Sequence, residues 1–406
     1  MNYQARPSLS DVAEKALEDL VAELEIPPTR YEQAERSYQS LGRWLNREDS
    51  SIRHLEPQVH VQGSFGLGTV IPPISDEEHY DVDAVCEFRK LTKGQVTQEQ
   101  LKQLLGKEIK LYAASQNMTK PVVERRRCWM LVYADGAQFH MDVTPGVLLT
   151  KQEIELLEAR GLEQRVAETA IGITDIEHYA YRAISNDWQR SNPRGYLKWF
   201  RSRMVKIFED RRNALRLRKG VRAGTEAIPD YEVRTPLQSA IMILKRHRDI
   251  MFAKRSDVRP ISIILTTLAG HAYNGEAKIG EALFVILNNM DRYITRDSQG
   301  NYVIENPSDP SENFADKWKK HPERAAAFFE WLAQARRDFA HAASLSDEQT
   351  IADDLAKRVG AGLADRVKKR AASRRASPTV LTGGLIRSEA QARSSAVRLD
   401  GDRRNA

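Results

Sequence analysis

The stretch YDVDAVCEF (80–88) sets two acids inside a run of apolar, strand-forming residues. Side chains two apart on a strand share a face, so Asp81 and Asp83 project together. An acid without a partner is costly in an apolar setting, so the fold has to supply one. Asp142 poses the same problem between Phe139, Met141 and Val143 in FHMDV. If its strand pairs beside 80–88, three carboxylates crowd one face and repel one another unless cations intervene. Oxygen-only clusters of this kind suit Mg²⁺. Two such ions stabilise both the attacking and the leaving oxygen of a phosphoryl displacement. His140, beside the third acid, is read as a strand residue because Mg²⁺ prefers oxygen.

Upstream, VHVQGSFGLGTVIPP (59–73) reads as a short strand over 59–62 running into a glycine-rich turn and a short helix. Gly63 lets backbone approach a phosphate, and the free N–H groups of a helix N-terminus attract anions. Ser64 adds a hydroxyl donor. Gln62 is placed either to hydrogen-bond a nucleotide or to support the turn. Each signal is common on its own: Gly-Ser is a frequent turn, and a lone Asp-x-Asp is usually solvated. Together they point to a nucleotide and metal site.

Helical spacing is expected over 9–24 and 30–46, with Ser10 as a cap and Pro27-Pro28 between them. Over 97–115 it puts Leu101, Leu104, Leu105, Ile109 and Tyr112 on one face. The stretch 121–147 reads as two strands joined through Ala134-Asp135-Gly136, a hairpin signal. From about 151 the pattern turns helical, over 151–160, 194–218, 235–252, 260–274, 278–290, 322–345 and 348–371, with a small hairpin in 294–307. After Ala371 the chain is rich in Ser, Arg, Ala and Gly, the composition of a disordered tail. The fold class expected is α+β, a mixed sheet with helices followed by a helical domain. The division is 1–170, 171–371 and a basic tail over 372–406.

The net charge of +6 invites a nucleic-acid reading, but eleven basic and three acidic residues fall between Arg366 and Ala406, leaving −2 for the rest. A nearly neutral body argues against a strong DNA-binding surface. Cys86 and Cys128 are the only cysteines, too few for a disulfide framework or a cysteine zinc site. They read as small buried residues of a reducing cytoplasm. No apolar run approaches the roughly 18 residues that span a membrane. The acidic, amphipathic N-terminus does not have the character of a secretory signal.

GSFGLGT, YDVDAV and FHMDV together resemble the nucleotidyltransferase superfamily with DNA polymerase β-like folds. Gln62 before the Gly-Ser resembles the branch holding oligoadenylate synthases and the bacterial cyclic GMP-AMP synthase-like enzymes, the CD-NTase family. SNPRGYLKWFRSRM (191–204), PLQSAIMILKRHRDIMF (236–252) and PISIILTTLAGHAY (260–273) look like that family's helical, oligoadenylate-synthase-like domain, and NPSDPSENFADKW (306–318) like a segment near its end. The resemblance implies a metal triad of Asp81, Asp83 and Asp142 holding two Mg²⁺ ions (Mn²⁺ substituting). It also implies nucleotide binding by Gln62, Gly63, Ser64, Lys245 and Ser262. Read alone, Lys245 would be a solvated cation in the basic stretch Lys245-Arg246-His247-Arg248, and Ser262 a helix cap after Pro260. Tyr273 reads as a core aromatic or a base-stacking residue.

The activity implied is synthesis of a cyclic oligonucleotide, a purine cyclic dinucleotide by default, from ATP and/or GTP in bacterial anti-phage signalling (CBASS). The product is expected to activate a separate effector. Operon-encoded conjugation or regulatory partners would act on the tail. No His/Cys spacing suggests a zinc insertion, so no DNA activator is expected. The rival readings are an RNA- or protein-directed nucleotidyltransferase and an inactive nucleotide-binding module.

Overall fold

The computed structural model describes residues 10–74, 80–133, 139–219 and 230–376. Two helices open the chain, α1 (Asp11–Leu24) and α2 (Pro28–Leu45). The Ser10 hydroxyl caps α1 by accepting from the Ala13 N–H at 3.2 Å. Next come β1 (Pro57–Val61), the single-turn α3 (Gly63–Leu67), β2 (Tyr80–Phe88), α4 (Gln98–Ser115), β3 (Val123–Glu124), β4 (Trp129–Tyr133) and β5 (Phe139–Leu148). Then follow α5 (Lys151–Ala159), α6 (Gln164–Ala167), β6 (Ile171–Ile173) and β7 (Gln189–Ser191).

The strands form one seven-stranded sheet in the order β1-β2-β5-β4-β3, with β6 and β7 continuing from the far end of β5. The β2–β5 pair is parallel and the other pairs are antiparallel. The two-residue period of these strands produces two unlike faces. Val82, Cys86, Leu131, Met141 and Val143 face a core closed by Leu41 and Leu45 of α2 and Leu101, Leu105 and Ile109 of α4. Asp81, Asp83, Glu87 and Asp142 therefore occupy the opposite face. The expected Ala134-Asp135-Gly136 turn lies outside the described residues, although β4 and β5 pair antiparallel as its reading requires.

The second half holds α7 (Pro193–Ser202), α8 (Val205–Lys219), α9 (Pro236–Met251), α10 (Ser262–Ala272) and α11 (Ile279–Asn289). Two small hairpins follow, β8 (Thr295–Arg296) with β9 (Tyr302–Val303) and β10 (Glu305–Asn306) with β11 (Asp309–Asn313). The chain then runs through α12 (Pro322–Ser344), α13 (Glu348–Val359) and α14 (Ala361–Ala376). Every residue of α9 from Pro236 to Arg248 is buried, which makes it the central helix of this half.

Three expectations change. The helix expected over 194–218 breaks at Arg203-Met204. There the Arg203 guanidinium donates to the Gly270 and Tyr273 carbonyls at the end of α10, and Met204 turns into the core. The helix expected over 348–371 breaks at Gly360, whose φ of +97° suits a residue without a Cβ. Helix also continues to Ala376, past the start of the expected tail. Leu363 and Val367 enter the core, while Arg366 and Arg370 reach Glu23 of α1 at 3.3 and 3.0 Å. Residues 377–406 lie outside the described residues. Helix α1 itself packs with α9, α11, α13 and α14, whereas α2 lies on the sheet.

Candidate active site

Strand pairing puts the acids together. In the parallel β2–β5 ladder Asp83 lies directly opposite Asp142, and Asp81 is one pleat away on the same face. Their burial is uneven: Asp81 is exposed, while Asp83 and Asp142 are half-buried. The strand context had suggested three buried acids. The open face of the sheet instead lets solvent reach the first of them.

The carboxylates feel one another. Burial, then Asp81 and Asp142, push Asp83 up to about 6, against a weaker opposing pull from Lys245. Burial and then Asp142 raise Asp81, with His140 opposing. Asp142 Oδ1 is buried and has no hydrogen-bond partner, so a fixed acceptor waits at this face. Among the described residues, no three acid, thiol or imidazole groups already form a metal cage. The donor set nevertheless fits a hard cation: all oxygen, crowded enough to resist ionisation, with one acceptor unmet. Neighbouring Cys128 is buried, and its thiol is pushed up to about 12 by burial and by Asp142, so it stays protonated.

Helix α3 carries the glycine-serine turn to the same place. The Gln62 N–H donates to the Asp83 carbonyl at 2.8 Å, extending the β1–β2 ladder to the helix start. Gly63 follows with φ +61° and packs against the Asp83 side chain so closely that a β-carbon has no room. The Gln62 side chain does not cap the helix. Lys245 reaches the turn from α9: it is 5% exposed and donates to the Thr69 carbonyl at 2.9 Å, while the Thr69 N–H donates to the Ser64 carbonyl at 2.9 Å. Burial, then Arg248, lower the Lys245 ammonium to about 7, with Asp249 and Asp83 pulling the other way. The isolated reading of Lys245 as a solvated cation is thereby corrected. Nor is Ser262 the cap of α10; that position is Ile261, and the Ser262 hydroxyl accepts from Arg248 at 2.9 Å. Tyr273 is fully buried and donates to the Glu276 carbonyl at 2.8 Å, a core aromatic.

A cleft of about 310 Å³ opens beside the acids. Gln62, Gly63 and Asp83 line it from the sheet half of the chain, and Tyr196, Ile263, Asn306, Glu312 and Phe314 from the helical half. Ser64, Asp81, Asp142, Lys245 and Ser262 do not line it. The second set came from the helical half, where sequence similarity marked SNPRGYLKWF, PISIILTT and NPSDPSENF as segments without assigning these residues a role. A larger groove of about 760 Å³ continues outward past Ile263, Glu312 and Phe314.

Residues 57–145 match the family described as "Cyclic GMP-AMP synthase DncV-like, nucleotidyltransferase domain". That domain is of the CD-NTase kind, and similarity to CD-NTases runs through most of the chain. A c-di-GMP synthase of Roseivirga ehrenbergii is 28% identical over 325 residues, covering 79% of this chain and 78% of that protein. The cyclic dinucleotide synthase CdnG of Bradyrhizobium diazoefficiens is 26% identical over 326 residues, covering 76% and 71%. The structure of CdnG from the same organism, solved in complex with GTP, superposes with a TM-score of 0.66 at 20% identity, over 89% of this chain and all of that one. The domain match makes the chain an enzyme of the nucleotidyltransferase class, and its α+β architecture is the polymerase β-like one expected. No helix among the described residues is long and apolar enough to cross a membrane.

Proposed function

We propose that the chain joins nucleoside triphosphates into a cyclic dinucleotide with release of pyrophosphate. The observation that carries this reading is the pairing of Asp83 with Asp142 beside the Gly63 turn. The activities named for the Roseivirga and Bradyrhizobium relatives support it.

Asp81, Asp83 and Asp142 would hold two Mg²⁺ ions, which when bound supply charge neutralisation at the phosphates and acidify the attacking hydroxyl. Gly63 and Ser64 present the start of α3 to the donor triphosphate. Lys245 holds Thr69, and so the turn, and the negative charge of phosphates bound at that turn would favour its ammonium form. Ser262 and Arg248 form a second polar pair on the adjoining helices. The acceptor ribose hydroxyl attacks the α-phosphorus of the donor, the bond to the β-phosphate oxygen breaks, and pyrophosphate departs with the electron pair. The linear product turns in the cleft, and a second attack closes the ring. Positioning and charge stabilisation lower the barrier, so no side-chain general base is needed. We place this activity in bacterial anti-phage signalling on the strength of the family resemblance. The division into a core over 1–170 and a helical domain over 171–371 stands as a proposal; two separate hydrophobic cores support two bodies, with α1 and Leu67 belonging to the helical one and Trp188 to the sheet one.

The test is incubation of the purified chain with α-labelled ATP, GTP, CTP and UTP plus Mg²⁺, followed by phosphatase and mass spectrometry. A phosphatase-resistant product that vanishes in Asp81→Ala is expected. Elongated RNA or labelled protein in place of a small product would overturn cyclisation.

A further inference from the structure

The segment NPSDPSENF folds into the β10–β11 hairpin, and its one acid in the cleft has no role in the chemistry above. Glu312 is half-buried where the 310 Å³ cleft meets the outer groove, and it lines both. Its Oε2 accepts from the Asn306 amide at 2.7 Å. The Asn306 amide cannot turn over without loss, because its oxygen accepts from both the N–H and the hydroxyl of Ser308 at 2.8 Å. The Asn306 NH₂ is therefore committed to Glu312 and fixes the plane of that carboxylate. Among the described residues nothing donates to Glu312 Oε1, and no cation forms an ion pair with it. The same cleft carries apolar surface, with Tyr196 meeting Phe314 edge to face at 6.3 Å and Ile263 also lining it. Gly63 and Asp83, proposed above to meet the phosphates, line the same cleft.

A cleft that combines apolar surface with a fixed carboxylate suits one kind of base. An ionised carboxylate only accepts hydrogen bonds. Guanine offers two adjacent donors on its Watson–Crick edge, N1–H and the N2 amine, which match two carboxylate oxygens side by side. Adenine offers one donor next to a lone pair, which a carboxylate repels. Cytosine likewise places an acceptor beside its amine, and uracil offers a single donor between two carbonyls. We propose that Glu312, oriented by Asn306, is the residue that selects guanine in the cleft. This rests on the nucleotidyltransferase reading above and specifies its base.

Wild-type chain is titrated with non-hydrolysable analogues of GTP, ITP and ATP in the presence of Mg²⁺, and affinity is read by calorimetry. GTP is expected to bind on the order of 100-fold tighter than ATP, with ITP, which lacks the N2 amine, about tenfold weaker than GTP. Glu312→Gln preserves shape. Asn306 keeps the new amide oxygen on its own side, so an NH₂ faces the base; the GTP:ATP preference is expected to fall by about 100-fold or more, toward adenine. Melting temperature checks that the variant folds, and the ITP comparison needs no variant at all.

Equal affinity for GTP and ITP, or an unchanged preference in a folded Glu312→Gln, overturns the assignment. Selective GTP binding through Glu312 without any cyclic product leaves the assignment standing and overturns only the reaction. A cyclic product without guanine overturns the assignment and leaves the reaction standing.

Discussion

Gly63 and Asp83 are in direct contact, with the Gly63 α-carbon packed against the Asp83 carboxylate and no space between them for a β-carbon. The turn that offers N–H groups to a phosphate and the acid proposed to hold a cation thus share one surface. Gly63→Ala is expected to displace Asp83, and its φ of +61° adds backbone strain. Because a displacement of about 1 Å at a reacting centre costs on the order of 100-fold, turnover should fall at least that much while circular dichroism stays native. Retained turnover would show that the contact is incidental.

Asp83 also links the site to stability. Its folded-state value near 6 lies above the ordinary 3.8, so between these values the folded chain binds the extra proton. Stability therefore falls as pH rises through this window, and the penalty is complete above about pH 6. In chelator, Asp83→Asn is expected to melt above the wild type at pH 7.5, the gap closing toward pH 4. Added Mg²⁺ should raise the wild-type melting temperature and leave the variant's unchanged. A gap independent of pH would contradict the crowding of the three acids.

Lys245 shows how far a sequence can be misread residue by residue. The run Lys245-Arg246-His247-Arg248 has the composition of a solvated helix face, yet all four side chains are buried. Each finds a partner from distant sequence: Thr69 for Lys245, the Pro72 carbonyl for Arg246, Asp338 for His247 and the Pro260 carbonyl for Arg248. Lys245→Met, which keeps the length and removes the charge, is expected to lose turnover by about 100-fold or more. The melting temperature should change by only a few degrees, since burying a lone ammonium is itself unfavourable. A large loss of stability with normal turnover would make Lys245 a strut alone.

A second buried charge joins the sheet to the helical half. Glu87, 1% exposed on the strand that carries Asp83, accepts from Arg194 of α7 at 3.2 Å. Arg89 is 3.5 Å away and His60 3.9 Å, and burial, then Arg194, hold His60 below its ordinary value, so the imidazole is a poor substitute cation. Arg194→Ala should destabilise the fold by about 1–3 kcal/mol, read from urea unfolding. Nucleotide affinity should weaken with it, because α7 carries Tyr196 to the cleft. Unchanged affinity would mean that α7 is held in place without this ion pair.

The sequence alone determined the acids' shared face, the glycine-serine turn before them, the helical second half and most helix starts. These depend on period and local capping, which act over a few residues: Thr97 with Gln100 and Thr235 with Gln238 close the capping boxes that begin α4 and α9. Tertiary structure alone decided which strand Asp142 pairs with, how exposed Asp81 is, where α1 and α14 dock, and that Lys245 is buried beneath Thr69. It also decided that Glu312, held by Asn306 six residues earlier, lines one cleft with Gln62, Gly63 and Asp83 of the distant sheet half. Those outcomes depend on contacts between segments tens to hundreds of residues apart, and no local pattern encodes which distant carbonyl or carboxylate will meet a given side chain.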